Sequence, residues 1–192
     1  MIPLKEKRER ILNIAQKIFA QFGIKKTTMD EIARMARMGK ATLYYYFKDK
    51  EAIFAEVIRK ESQIVKQKLN EAINKATTPQ KKIEAYVLTR MQHLKELSNY
   101  YTTLTDEYLE HYSFVEKERR DFTQYEIETL KKILAEGVKQ GIFKIDDVEV
   151  TARMITIAMK GFEYPLIVER KEEMEKDILL MLQILFKGIE KR

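Results

Sequence analysis

The chain has 192 residues, 34% of them Asp, Glu, Lys or Arg, with a formal charge of +6 at pH 7 and no cysteine. A chain of that length can hold one or two compact domains with a sizeable core, and the lack of cysteine excludes disulfides, thiolate metal sites and cysteine nucleophiles. The charge is uneven: residues 1–60 carry 14 Lys/Arg against 7 Asp/Glu while the remainder is nearly balanced, as expected for a small polyanion-binding part joined to a larger near-neutral one.

Only 6 glycines and 3 prolines, with abundant Glu, Lys, Leu, Ile, Ala and Met, favour helix throughout, and no stretch alternates apolar and polar residues as a half-buried strand would. The first helix is predicted over residues 5–22, with Ile11, Ala15, Ile18 and Phe22 on its inner face and Gly23 as the left-handed residue that ends it. Thr28 and Glu31 in "TMDE" form a capping box that opens a short second helix with Ile32, Ala33 and Ala36 inside. After "RMG" a third helix is predicted over residues 40–47, N-capped by Gly39. Asp49 caps a fourth helix running to about residue 75, with Ile53, Val57, Ile64 and Leu69 inward. Thr78 and Pro79 read as N-cap and first-turn proline of a fifth helix ending near residue 97. Residues 99–140 are helical with a break placed near Ser113, and Gly141 closes that segment. Asp146 and Glu149 have capping-box spacing at the start of the next helix, which Pro165 ends or kinks, and a last helix covers about 172–189.

The third helix carries the chemistry. "KATLYYYFKDK" places three tyrosines in a row at residues 44–46. Helical neighbours stand about 100° apart, so the three cannot all enter one core. Leu43 and Phe47, at i and i+4, point inward and leave Thr42, Tyr44, Tyr45 and part of Tyr46 outward. Two short helices joined by a tight turn describe a helix-turn-helix. With "ILNIAQKIFAQFG", "TTMDEIARMA" and "KATLYYYFKDKEAIF", the chain resembles the TetR family of bacterial transcriptional regulators. The resemblance implies an all-α, nine-helix fold: a helix-turn-helix DNA-binding domain at 1–48 and an effector-binding and dimerisation domain at 49–192, connected by the helix at 49–75. It implies a cytoplasmic, non-enzymatic, dimeric repressor that binds double-stranded DNA at a palindromic operator and is released by a small, apolar effector. It assigns Thr42 and Tyr44 to bases, and Lys40, Tyr45, Tyr46, Lys50 and the Thr28 end of the second helix to phosphates. Arg37 stands where the family commonly has glycine, adding a positive charge beside the reading helix.

The C-terminal part is rich in tyrosine and in helices apolar around most of their circumference. Such helices need cover, and a second copy making a four-helix bundle is the simplest source. Ile155, Met159, Phe162, Leu180 and Ile184 are the expected dimer interface. Tyr86, Arg90, His93, Tyr101, Tyr108, Tyr125 and Phe162 are the expected lining of an effector pocket, with Arg90 or His93 available to an anionic group. No cofactor is implied. A P-loop is excluded because position 34 is Arg34, and Glu107 with His111 makes an ordinary i, i+4 pair rather than a metal site. The longest apolar run, residues 178–186, is interrupted by Gln183 and too short for a bilayer, and the N-terminus turns charged at once. A helical protein–protein adaptor is the competing reading of the exposed aromatics.

Overall fold

A computed structural model describes residues 4–100, 113–167 and 174–189. Among these residues the chain forms α1 (Leu4–Lys26), α2 (Met29–Met35), α3 (Lys40–Tyr46), α4 (Lys50–Lys75), α5 (Pro79–Tyr100), α6 (Arg120–Lys139), α7 (Val148–Gly161), α8 (Glu163–Ile167) and α9 (Met174–Ile189). Residues 113–118 are also helical and precede α6. Two compact units result, one of Met1–Ser62 with Ser98–Arg119, the other of Gln63–Leu97 with Arg120–Arg192.

In the first unit, Ile11, Ala15, Ile18, Phe19, Ile32, Leu43, Phe47, Ile53 and Val57 share one buried cluster. Each such side chain contributes roughly 1.5–3 kcal/mol by leaving water. Ile53 and Val57 tie the start of α4 to this head, so the compact unit extends past residue 48. The helical conformation breaks at Gly23, as expected for a helix ending at residue 22. Helix resumes after Gly23, which sits at φ 78° and ψ 164°, a conformation open essentially to glycine alone. The chain turns there, so Ile24 returns to the core while Phe22, expected inside, is 47% exposed.

The caps follow the sequence closely. The Thr28 hydroxyl accepts from the Glu31 amide at 3.2 Å, and the Glu31 carboxylate accepts from the Thr28 amide at 2.8 Å. Gly39 caps α3, Asp49 accepts from the Ala52 amide at 2.7 Å, and Thr78 accepts from the Lys81 amide at 3.3 Å. The cap of α7 moves by one residue: Asp147, not Asp146, accepts from the Val150 amide at 2.9 Å. Pro165 does not end α7, which stops at Gly161; it lies in the first turn of α8, where the missing N–H breaks no helical bond.

The second unit is packed around Leu69, Ile83, Tyr86, Val87, Leu130, Leu134, Ala152 and Met159, all fully buried. Ile64 of α4 is 39% exposed rather than inward, and Val65 beside it is buried. At the end of α6, the amides of Gly141 and Ile142 return to the carbonyls of Val138 and Gly137 at 3.0 and 2.9 Å. Gly141 has φ 70°, the left-handed conformation of a helix-ending residue. Phe143 then folds back over Gly137 so closely that a Cβ there would sit 2.1 Å from its ring.

Candidate nucleic-acid interface and ligand cleft

The turn between α2 and α3 places the reading helix. The Arg37 amide donates to the Arg34 carbonyl at 3.1 Å and the Met38 amide to the Ala33 carbonyl at 3.0 Å. This paired return is a Schellman motif, and it puts Arg37 at φ 52°. Arg37 therefore occupies the glycine conformation at a cost of about 1–2 kcal/mol. Met38 packs on the head core and anchors the turn.

Leu43 and Phe47 hold α3 down, being 0% and 4% exposed, while Tyr44 and Tyr45 stand out at 46% and 75%. Thr42 is half-buried on the same helix, and Lys40 and Arg37 are exposed. Lys40 pairs with Asp30 of α2 at 2.8 Å, and that hydrogen bond holds the Lys40 pKa above its ordinary value. Tyr46 divides its surface: its ring packs against the head core and meets Tyr45 edge to face at 5.2 Å. Thr28 is exposed at the start of α2, its hydroxyl engaged with Glu31.

Lys50 is placed differently from the expectation. Its ammonium donates to the carbonyls of Ile24, Lys25 and Thr27 at 2.8, 3.2 and 3.1 Å. An ammonium has three protons, and these three acceptors match them. Lys50 thus clasps the C-terminal end of α1 instead of presenting a free charge.

In the second unit, Arg90 lies on the apolar stripe of α5 and is 2% exposed. Its Nε donates to Glu126 Oε1 at 2.9 Å, and Nη2 donates to Glu163 Oε1. Burial disfavours the Arg90 charge, but the two carboxylates outweigh it and raise its pKa above the ordinary range. The Tyr86 hydroxyl donates to Glu126 at 3.2 Å, and burial together with that carboxylate pushes its pKa well up. Arg90 and Tyr86 are therefore core groups linking α5, α6 and α8, which corrects their expected place on an open pocket wall. Glu126 and Glu163 were not anticipated. The signal available was Glu126 on the stripe Phe122, Glu126, Leu130: a carboxylate in line with buried apolar residues requires a buried cation.

A cleft of about 560 Å³ lies in the same unit, with Leu88, Met91, Leu166, Ile178, His93 and Lys68 on its wall. Of the expected lining, it takes in His93. Tyr125 is half-buried and donates to Asn70 Oδ1 at 2.7 Å; Phe162 is the half-buried cap residue of α7; Tyr101, Tyr108 and His111 lie outside the described residues. Among the described residues no group of His, Asp and Glu is placed to hold a metal ion, and no helix is long and apolar enough to cross a membrane.

The expected interface residues separate into two sets. Leu180 and Ile184 are exposed at 55% and 65%, whereas Ile155 and Met159 are buried within their own chain. The exposed apolar positions of α7 are instead Val150, Met154 and Ile157. An all-round greasy helix does not show in its sequence which side its own chain covers.

The profile of bacterial regulatory proteins of the tetR family matches residues 11–57, and a tetracyclin repressor-like C-terminal domain matches residues 79–178. The chain belongs to the TetR family. An uncharacterized HTH-type transcriptional regulator of Bacillus subtilis, YhgD, is 30% identical over 77% of each chain. The HTH-type transcriptional repressor KstR2 of Mycolicibacterium smegmatis is 28% identical over 78% of this chain and 74% of its own. A crystal structure of a transcriptional regulator from Cytophaga hutchinsonii superposes with a TM-score of 0.78 at 30% identity, covering 95% of this chain and 98% of the other. As a TetR-family protein the chain is an all-α DNA-binding transcription factor and not an enzyme.

Proposed function

We propose that this regulator is a dimeric repressor whose two heads occupy the halves of an inverted-repeat operator and leave it when a small, largely apolar effector fills the cleft. The exposed phenolic face of α3, clamped from beneath by Leu43 and Phe47, carries the reading. Tyr44 and Thr42 contact base edges, where a phenol offers a hydroxyl and an apolar ring for a thymine methyl. Lys40, Arg37, Tyr45 and the exposed part of Tyr46 contact phosphates, as does the Thr28 end of α2. The repressor sense agrees with the name of the KstR2 relative.

Dimerisation through α7 and α9 covers Val150, Met154, Ile157, Leu180 and Ile184, apolar side chains that one chain leaves in water. The effector acts through α4, which supplies residues to both compact units and lends the cleft Lys68 and Ala72. An effector releases DNA only by binding the DNA-free conformation more tightly. Binding to upstream DNA, measured across salt, tests the reading. Tyr44→Ala should flatten the preference among sequences. Lys40→Ala should weaken all sequences and lower the salt slope by about one. Wild-type binding without salt dependence or sequence preference would favour the protein–protein adaptor.

A further inference from the structure

The cleft wall holds a histidine with one ring nitrogen engaged and the other left without a partner. The Lys68 ammonium lies 2.7 Å from Glu96 Oε2 and 3.4 Å from His93 Nδ1. An ammonium can only donate, so the Lys68 contact is met by the tautomer in which Nδ1 accepts and the neutral ring carries its proton on Nε2, although Glu96 Oε2 also stands 3.7 Å from Nδ1. Burial, and then the Lys68 charge, hold the His93 pKa below its ordinary 6.5, so the ring is neutral at pH 7. His93 is 7% exposed, and its Nε2 is buried with no hydrogen-bond partner. A buried N–H without an acceptor is costly, and protein interiors seldom leave one.

Arg90, the other cation considered for ligand recognition, is already matched by two carboxylates. Lys68 is balanced by Glu96. The wall also carries charged and polar side chains such as Glu71, Lys75, Thr89 and Glu175, but among the described residues the buried polar atom on it without a partner is His93 Nε2, beside the apolar surfaces of Leu88, Met91, Leu166 and Ile178. We propose that the cleft takes a molecule with an apolar body and a carbonyl or carboxylate oxygen, and that His93 Nε2–H donates to that oxygen. The proposal rests on the effector cleft of the preceding section and adds the chemical class of its occupant.

The chain has two histidines, so His111→Gln with ¹⁵N-labelled histidine leaves a single ring to observe. Decanoic acid and methyl decanoate are the probes, the pair separating an anionic from a neutral acceptor. The expected free spectrum at pH 7.5 is a neutral ring protonated on Nε2. At least one probe should shift the Nε2 proton. His93→Phe, which keeps an aromatic ring without the donor, should weaken that probe about tenfold. His93→Gln, which restores an N–H, should recover most of the loss. A proton on Nδ1, a ring unmoved by both probes, or equal probe affinity in wild type and His93→Phe would each overturn the assignment. Operator release is read separately. A probe that shifts His93 without releasing DNA sustains the donor role and removes the cleft as the effector site. DNA released by a probe that leaves His93 unmoved does the reverse.

Discussion

A residue can carry the right charge and still be placed for a different task, and Lys50 is the clearest instance. Its three carbonyl acceptors fix the end of α1 and the approach to Thr28. Lys50→Met is expected to destabilise the chain by about 1.5–3 kcal/mol, the range for hydrogen bonds to a charged group. DNA binding should weaken with it while the salt slope stays unchanged, because no phosphate contact is lost; a slope lower by about one would return Lys50 to the phosphates. Arg37 has the opposite profile. It is strained at φ 52° and exposed beside α3. Arg37→Gly should raise thermal stability by about 0.5–1 kcal/mol, less than the full strain because glycine gains entropy in the unfolded chain. The same change should weaken DNA binding and lower the salt slope. For His93, whose folded pKa is depressed, the unfolded chain binds the proton more readily. The stability contribution of the neutral ring is therefore complete above the ordinary value of 6.5 and is lost as pH falls from there toward the folded pKa. Thermal melts from pH 7.5 to 5 should show a smaller decline in His93→Gln than in wild type.

At the scale of the element, short helices depend on their ends and on the few residues that anchor them. The helices α2 and α3 have seven residues each, too short to persist alone. Their caps, the Schellman turn at Arg37 and the buried pair Leu43 and Phe47 hold them in place. The caps and the buried pair were legible in the sequence because they are local: Thr28 and Glu31 three apart, Gly39 before a helical pattern, Leu43 and Phe47 four apart; the Schellman turn was not, since no glycine marks position 37. The end of α6 was less legible. Gly137 reads as a helix-interior glycine that costs about 1 kcal/mol relative to alanine, yet it is the surface over which Phe143 closes. Gly137→Ala should therefore destabilise rather than stabilise, by about 1–3 kcal/mol as an overpacking change, visible as a lower urea midpoint. The Phe143 ring, stacked on Phe186 at 6.4 Å, would have to move. An unchanged or higher midpoint would show that the ring yields freely.

At the scale of the whole molecule, unmatched apolar faces are where a chain meets its partners. Leu180 and Ile184 on α9, with Val150, Met154 and Ile157 on α7, are all at least 44% exposed. Ile184→Glu should leave the monomer folded and shift sedimentation from dimer to monomer, since a charge in an apolar interface is costly to desolvate. A dimer of unchanged strength would remove α9 from the interface. Ile155→Glu should instead damage folding itself, because that side chain faces its own core at 3% exposure. From the sequence alone came the all-helical class, the helix-turn-helix, the caps of α2, α3, α4 and α5, and which residues of α3 face in and which face out. All of these follow from spacings within one or two turns, where backbone geometry relates neighbours directly. Tertiary structure alone decided that Lys50 clasps α1, that Arg90 is matched by Glu126 and Glu163, and that Met154 rather than Met159 faces out. Those outcomes depend on groups brought together from 23 to 73 positions apart, or on which side of an all-round apolar helix the rest of the chain covers, and local periodicity carries no record of either.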